Sequence, residues 1–324
     1  MSPQASQRSH TWDQRFLRLA RKVALWSKDP STQCGAILVR PDNTIASVGF
    51  NGFPFGMRDD VERYNDRAQK YPRVMHSEWN AIRSCRDPSL EGYTVYAWPM
   101  PPCDICTNSL VQKGIARVVC PQPAAEKLER WKDQFVLALG TLQQKQVVMD
   151  YQDIEGELLP EPVFEEAVGK WDARFLSVAQ EVQSWSKDPL DPRGALIVRP
   201  DKTVCSFGIN GFAKGVDDTP LLEGDAAVRK ARLLEAENNA ILFSKDPQMD
   251  GYTVYTWPAP PALRASSHLI HEGIRRLVAP LLIPPEEVAN DDYAPAFMEK
   301  ESHEAWLEVS GVVDCHPCHV PAQA

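Results

Sequence analysis

The sequence predicts an α/β protein built twice over, two tandem copies of one domain whose central sheet is covered by helices on both faces. The first observation is a repeat: a shift of 159 positions brings WDQRFL (12–17) onto WDARFL (171–176), GAILVRPD (35–42) onto GALIVRPD (194–201) and EGYTVYAWP (91–99) onto DGYTVYTWP (250–258). No gap is needed from Trp12 to about Pro121, and a period of 159 has the size of a domain rather than of a solenoid unit. The second is length: 324 residues exceed one small core and fit two domains of roughly 150 each. The third is the alternation of helical and strand-like segments within each copy.

The elements of the first copy follow in order. Residues 12–27 carry an amphipathic helical pattern; AILVR and TIASVGF read as strands joined by the Pro-Asp-Asn turn at 41–43. A long polar loop follows, then a helix from about His76, the strand YTVYAW, a helix from about Cys103 and the strand 116–120. A last helix near 124–140 leads into KQVVMD. The segment ELLPEPVFEEA, 157–167, has the prolines and acidic side chains of an exposed linker. The expected division is a first domain over 11–156, a linker over 157–167, a second domain over 168–314 and a Cys/His tail over 315–324.

Composition narrows the function. A net charge of -9 with no long basic run speaks against a polynucleotide partner, whereas a few local cations suffice to hold a small nucleotide. No segment is apolar for long enough to span a bilayer, and the first fifteen residues lack the apolar core of a signal peptide. The expectation is a cytoplasmic protein whose eight cysteines are thiols or metal ligands.

The first copy carries His76-Ser-Glu78 and, one strand later, Pro102-Cys103-Asp-Ile-Cys106. Two cysteines at a helix start can share an ion with a histidine from a neighbouring helix, and three protein ligands leave zinc a fourth, open position. Helix N-termini favour the thiolate over the thiol. Glu78 is too close in sequence to His76 to be needed as a ligand and is well placed as a general acid/base. H-x-E followed by P-C-x-x-C is the signature of zinc-dependent deaminases.

Beyond this signature, the first copy resembles the deoxycytidylate (dCMP) deaminase family along nearly its whole length. The resemblance rests on Trp12-Asp13, SKDP (27–30), CGAILV (34–39), GFNGFPFGMRDDV (49–61), KYPRVMHSEWNAI (70–82) and PCDIC (102–106). It implies a cytidine deaminase-like three-layer α/β/α sandwich and hydrolysis of dCMP to dUMP and ammonia. It implies one catalytic Zn2+ per chain on His76, Cys103 and Cys106, with Glu78 moving protons to N3 and to the leaving amine during attack on C4 of cytosine. Asn51 would read the sugar 3′-hydroxyl; in Asn51-Gly52 it also has the chemistry of a turn residue.

Lys28, Arg58, Arg63, Arg67, Lys70 and Arg73 are phosphate candidates. The repeat turns Arg58, Arg63 and Arg67 into Asp217, Leu222 and Ala226, while Lys28, Lys70 and Arg73 stay basic as Lys187, Arg229 and Arg232. One departure from the family is the proline-rich run from Tyr96 to Cys103. It places Trp98, Pro99 and Met100 where they could reshape the base pocket and admit dCTP or a C5-modified dCMP. The plainer reading of Trp98 is a core aromatic, matched by Trp257.

In the second copy the shift places Glu235, Ala262 and Ala265 opposite His76, Cys103 and Cys106, while Glu237 stands opposite Glu78. Alanine offers no donor atom, so this copy is expected to be inert as a deaminase and to serve as a pseudo-subunit in an intrachain pseudo-dimer, with room for further homo-oligomers. A regulatory nucleotide with Mg2+ is a second role for it. The motif CHPCH, 315–319, reads either as another metal site or as an unstructured tail. Cys34, Cys85, Cys120 and Cys205 read as small buried apolar residues. The alternatives in class are a polynucleotide deaminase and a nucleotide-sensing or polynucleotide-binding protein with the same fold.

Overall fold

The computed structural model describes residues 3–219, 226–282 and 300–321, and the chain divides into two units, Met1–Leu158 and Leu159–Ala324. The division falls inside the expected linker.

In the first unit α1 (Pro3–Ala24) precedes the hairpin β1 (Gly35–Val39) and β2 (Ile45–Phe50). The hairpin turns where Arg40 N–H donates to the Thr44 carbonyl at 2.8 Å, with Asn43 left-handed at φ 69° and Asp42 accepting the Thr44 N–H at 3.0 Å. The polar loop contains two short helices, α2 (Val61–Asn65) and α3 (Arg67–Lys70), whose N-caps are Asp60 and Asp66. Then come α4 (Ser77–Ser84), β3 (Thr94–Trp98), α5 (Asp104–Gln112), β4 (Arg117–Cys120), α6 (Ala125–Arg130), α7 (Lys132–Gln144) and β5 (Val148–Tyr151). The single helix expected near 124–140 is thus two helices, broken at Trp131 with φ -115° and ψ 21°. No proline or glycine marks that break.

The strands line up as β2-β1-β3-β4-β5, with β1 antiparallel to both neighbours and β3, β4 and β5 parallel. Alternation along the strands sorts the core into two layers. Ala36, Leu38 and Val95 pack with Ala81, Leu110 and Leu142 of α4, α5 and α7. On the other face Tyr96 meets Phe16 of α1, ring centroids 5.0 Å apart, and its hydroxyl donates to Asp13 at 2.6 Å. The α/β/α sandwich is therefore the observed fold. Helix and sheet approach closely at Gly49, where a Cβ would stand 2.3 Å from both the Ala81 nitrogen and the Ser77 oxygen.

The second unit repeats this order: β6 (Val163–Phe164), α8 (Lys170–Gln183), β7 (Gly194–Val198), β8 (Val204–Ile209), α9 (Ala226–Arg232), α10 (Ala236–Phe243), β9 (Thr253–Trp257), α11 (Leu263–His271), β10 (Arg276–Leu282), α12 (Lys300–Glu308) and β11 (Val312–His319). Its sheet runs β6-β11-β10-β9-β7-β8. Two expectations are corrected here. Residues 315–319 are no tail: they lie in β11, parallel to β10, with Cys318 buried. The linker contributes β6, which pairs antiparallel with β11 through Phe164 and Cys318. A strand fits this segment because its backbone pairs along β10 from Val312 opposite Arg276 to Cys318 opposite Leu282. The last three residues of the expected tail, and Leu222, lie outside the described residues. Among the described residues no helix is long and apolar enough to cross a membrane.

Candidate active site

The first unit gathers its polar residues at one edge of the sheet. Gly35 pairs with both Phe50 and Trp98, so the start of β1 and the ends of β2 and β3 share that edge, and β4 ends there too because it is parallel to β3. Chain segments leaving this edge lead into α4, α5 and α6. Crevices beyond the carboxyl ends of strands are where α/β sheets build ligand sites.

His76 and Cys103 occupy the N-cap positions of α4 and α5, with extended backbone (φ -76°, ψ 156° and φ -69°, ψ 172°). N-caps usually hold residues whose side chains accept a helix N–H. Neither side chain here makes such a bond. They turn toward one another instead: His76 Nδ1 lies 3.3 Å from Cys103 Sγ and 3.5 Å from Cys106 Sγ. All three donor atoms fall within 4.8 Å of one another. Nitrogen at about 2.0 Å and sulfur at about 2.3 Å from a tetrahedral zinc stand about 3.5 Å apart. The donor set and its edges therefore fit zinc.

The titration of these groups shows the same crowding. A hydrogen bond from Cys106 pulls Cys103 down to about 4, and the same contact together with burial holds Cys106 far above its usual range. The hydrogen bond to Cys103 pushes His76 up to about 9. Three soft donors held this close share protons that a divalent cation displaces.

Glu78 is 6% exposed, and burial raises its carboxyl above the usual range; Ser77 Oγ donates to it at 3.1 Å. Burial, followed by the charge of Glu78, also pushes up the thiols of Cys34 and Cys120. Cys34 is half-buried rather than a core residue, as is Cys85; Cys120 and Cys205 are buried.

The remaining expected residues divide. Asn51 is buried, and its amide holds three residues of the loop before β1: Oδ1 accepts the Cys34 N–H at 2.8 Å, while Nδ2 donates to Asp29 at 3.2 Å and to the Thr32 carbonyl at 3.0 Å. It stands at the site edge and holds the loop together. Lys70 Nζ is 2.7 Å from Asp29 and buried, a structural pair. Lys28 pairs with Asp59 at 2.8 Å, and Arg58 pairs with Asp60 and Glu62 on the surface. Arg63 donates to the Arg58 carbonyl at 3.2 Å, and Arg73 to the Gln69 carbonyl at 3.0 Å. Trp98 departs from the expected pocket role. Strand alternation turns it to the α1 face with Tyr96, and Arg21 of α1 lies over its ring at 5.3 Å. Missing from the sequence reading was Lys127 of α6, whose Nζ donates to Thr32 Oγ1 at 2.7 Å beside Asn51 and Cys34.

The second unit keeps the backbone and not the donors. Glu235 and Ala262 hold the N-cap positions of α10 and α11 in the same extended conformation, and Ala265 is fully buried. Glu235 accepts from Asn238 Nδ2 at 3.2 Å, and burial raises Glu237 to about 7. Arg193, at the position of Cys34, pairs with Asp191 at 2.9 Å and donates to the Pro260 carbonyl at 3.1 Å. Among the described residues, His76, Cys103 and Cys106 are the one group of three potential ligands within reach of a single ion, so neither a Mg2+ site nor a metal on CHPCH has support.

Residues 10–122 match the sequence model of the cytidine and deoxycytidylate deaminase zinc-binding region. An uncharacterised deaminase from the luxG 3′ region of Aliivibrio fischeri is 35% identical over 144 residues, 44% of this chain and 95% of that protein. The chain belongs to the cytidine and deoxycytidylate deaminase family. A probable deoxycytidylate deaminase of Caenorhabditis elegans is 44% identical over 108 residues, 32% of this chain, and the match spans about half, 54%, of that relative's length. The structure of dCMP deaminase from cyanophage S-TIM5 in complex with dCMP and dUMP is similar at 22% identity and a TM-score of 0.36, over 47% of this chain and 99% of that one.

Proposed function

We propose that the first unit is a zinc-dependent deaminase of a deoxycytidine nucleotide, converting dCMP and water to dUMP and ammonia, and that the second unit is catalytically inert. The observation that carries this reading is the convergence of His76 Nδ1, Cys103 Sγ and Cys106 Sγ within 4.8 Å beside the buried Glu78. Bound by those three residues, zinc supplies Lewis acidity toward water. The chain's own residues do the rest. Glu78 takes a proton from the attacking water and delivers it to N3 of cytosine, then takes the proton of the hydroxyl added at C4 and passes it to the amine as the C–N bond breaks and the carbonyl forms. Burial raises its proton affinity, which suits a group that must hold a proton between two transfers. Asn51 presents its amide at the same edge, where a sugar hydroxyl can share it.

A small nucleotide fits the acidic chain better than a polynucleotide does, given the net charge of -9. Incubation of the purified protein with dCMP, dCTP, CMP, deoxycytidine and 5-methyl-dCMP, with ammonia measured for each, tests the reading. Ammonia from dCMP that exceeds the others supports it. Uracil formed in single-stranded DNA, with none from the free nucleotides, overturns it.

A further inference from the structure

We propose that α6 is the phosphate-binding edge of the candidate site, with Lys127 and Arg130 as the residues that select a nucleotide over a nucleoside; this rests on the deaminase reading of the first unit. The helix follows β4 at the edge of the sheet where the ends of β2 and β3 and the start of β1 meet. None of its residues is buried, so packing of the core does not account for its composition. It also lies beyond residue 122, where the family match ends.

Lys127 and Arg130 are three apart and share one face of the helix. Lys127 Nζ donates to Thr32 Oγ1 at 2.7 Å, and Arg130 Nη2 donates to the Tyr71 hydroxyl and lies over the Trp131 ring at 5.2 Å. These partners are all neutral. Lys28, Arg58 and Lys70 differ, because each sits against a carboxylate that offsets its charge. Thr32 belongs to the turn that Asp29 organises, accepting the Thr32 N–H at 3.2 Å, and Asn51 donates to the Thr32 carbonyl at 3.0 Å. Lys127 is thereby fixed against the loop that carries Cys34 and that Asn51 holds. A point charge and a planar fork on one helix face, both bonded to hydroxyls that a stronger acceptor displaces, suit a phosphate group on a pyrimidine nucleoside.

The test compares Lys127→Ala, Arg130→Ala and the exposed control Lys132→Ala for deamination of dCMP, dCTP and deoxycytidine, with thermal melting to verify folding. Lys127→Ala is expected to raise KM for dCMP at least about tenfold with little change in kcat, and to leave kcat/KM for deoxycytidine within about twofold. Lys127→Arg should restore most of the loss, and inorganic phosphate should inhibit the wild type more strongly than Lys127→Ala. A larger effect on dCTP than on dCMP would extend the edge to the triphosphate. Equal losses on nucleotide and nucleoside, or no loss on either, would overturn the assignment. If the wild type releases ammonia from none of the three, the deaminase reading itself fails, a separate result.

Discussion

Glu237 offers a sharp test of the idea that the second unit retains the catalytic acid without anything to serve. It is 2% exposed, and burial raises its carboxyl from 4.5 to about 7; the charges that face it are Arg193, which favours ionisation, and Glu235 and Asp191, which oppose it. A group whose proton affinity is higher folded than unfolded stabilises the fold fully below the unfolded pKa, and that contribution fades as pH rises through the folded one. At about 1.4 kcal/mol per tenfold in proton affinity, the ionised carboxylate costs about 3 kcal/mol by pH 8 and under about 1 kcal/mol at pH 5. Glu237→Gln keeps the shape and an acceptor oxygen while removing the charge. The variant should therefore exceed the wild type in stability by about 3 kcal/mol at pH 8 and by little at pH 5. Hydrogen exchange of peptides covering α10 reads this locally, without treating a two-unit chain as one transition. The same difference at both pH values would refute the reasoning, because it would mean that Glu237 does not titrate in this range and is compensated, for instance by a bound cation.

Three further outcomes follow from the first unit. Metal analysis of the full chain should find about one zinc, and Cys106→Ser or His76→Ala should lower it severalfold; two ions would place metal in the second unit. Glu78→Gln should retain zinc and lose at least about a hundredfold in kcat, whereas full activity would show the proton carrier to be misassigned. Gly49→Ala should lower the thermal midpoint and weaken zinc retention together, since a Cβ 2.3 Å from the Ala81 nitrogen must displace α4, the helix that His76 caps; an unchanged midpoint would contradict the packing.

Much of this was legible in the sequence because the chain contains its own comparison. The element order follows from the repeat, and the group His76, Cys103 and Cys106 that the structure brings together follows from the H-x-E and C-x-x-C spacing. What stayed illegible has specific causes. The break at Trp131 carries no glycine or proline and lies past the region where the copies align without gaps. The strand β11 was masked by a Cys/His spacing that suggests metal chemistry, although a parallel neighbour was available to satisfy its backbone. Trp98 was placed by its distance in sequence from Cys103, and strand alternation turned it to the opposite face. Lys127 had no signal at all, because its partner Thr32 is 95 residues away and it lies past the region where the copies align without gaps.

The two units together separate scaffold from chemistry. Arg40 grips Asp87, which also accepts from Tyr93, and Arg199 grips Asp246, which accepts from Tyr252, with the same Nε distance of 2.6 Å in each. Arg117 and Tyr96 converge on Asp13 as Arg276 and Tyr255 converge on Asp172. Ser47 and Ser206 donate to the carbonyls of Ala81 and Ala240. Contacts maintained in a unit that has no ligand set cannot be maintained for catalysis, so these belong to the fold. Breaking a buried pair such as Arg40–Asp87 leaves an uncompensated charge and costs about 3–5 kcal/mol whatever the site does. The residues that differ include the three candidate ligands. His76, Cys103 and Cys106 give way to Glu235, Ala262 and Ala265, and the half-buried Cys34 gives way to Arg193, which pairs with Asp191 in its own loop and donates to the Pro260 carbonyl. The tethered guanidinium also acts on Glu237, whose ionisation its charge favours, so the second unit differs from the first both in its donor atoms and in the charge around the surviving glutamate.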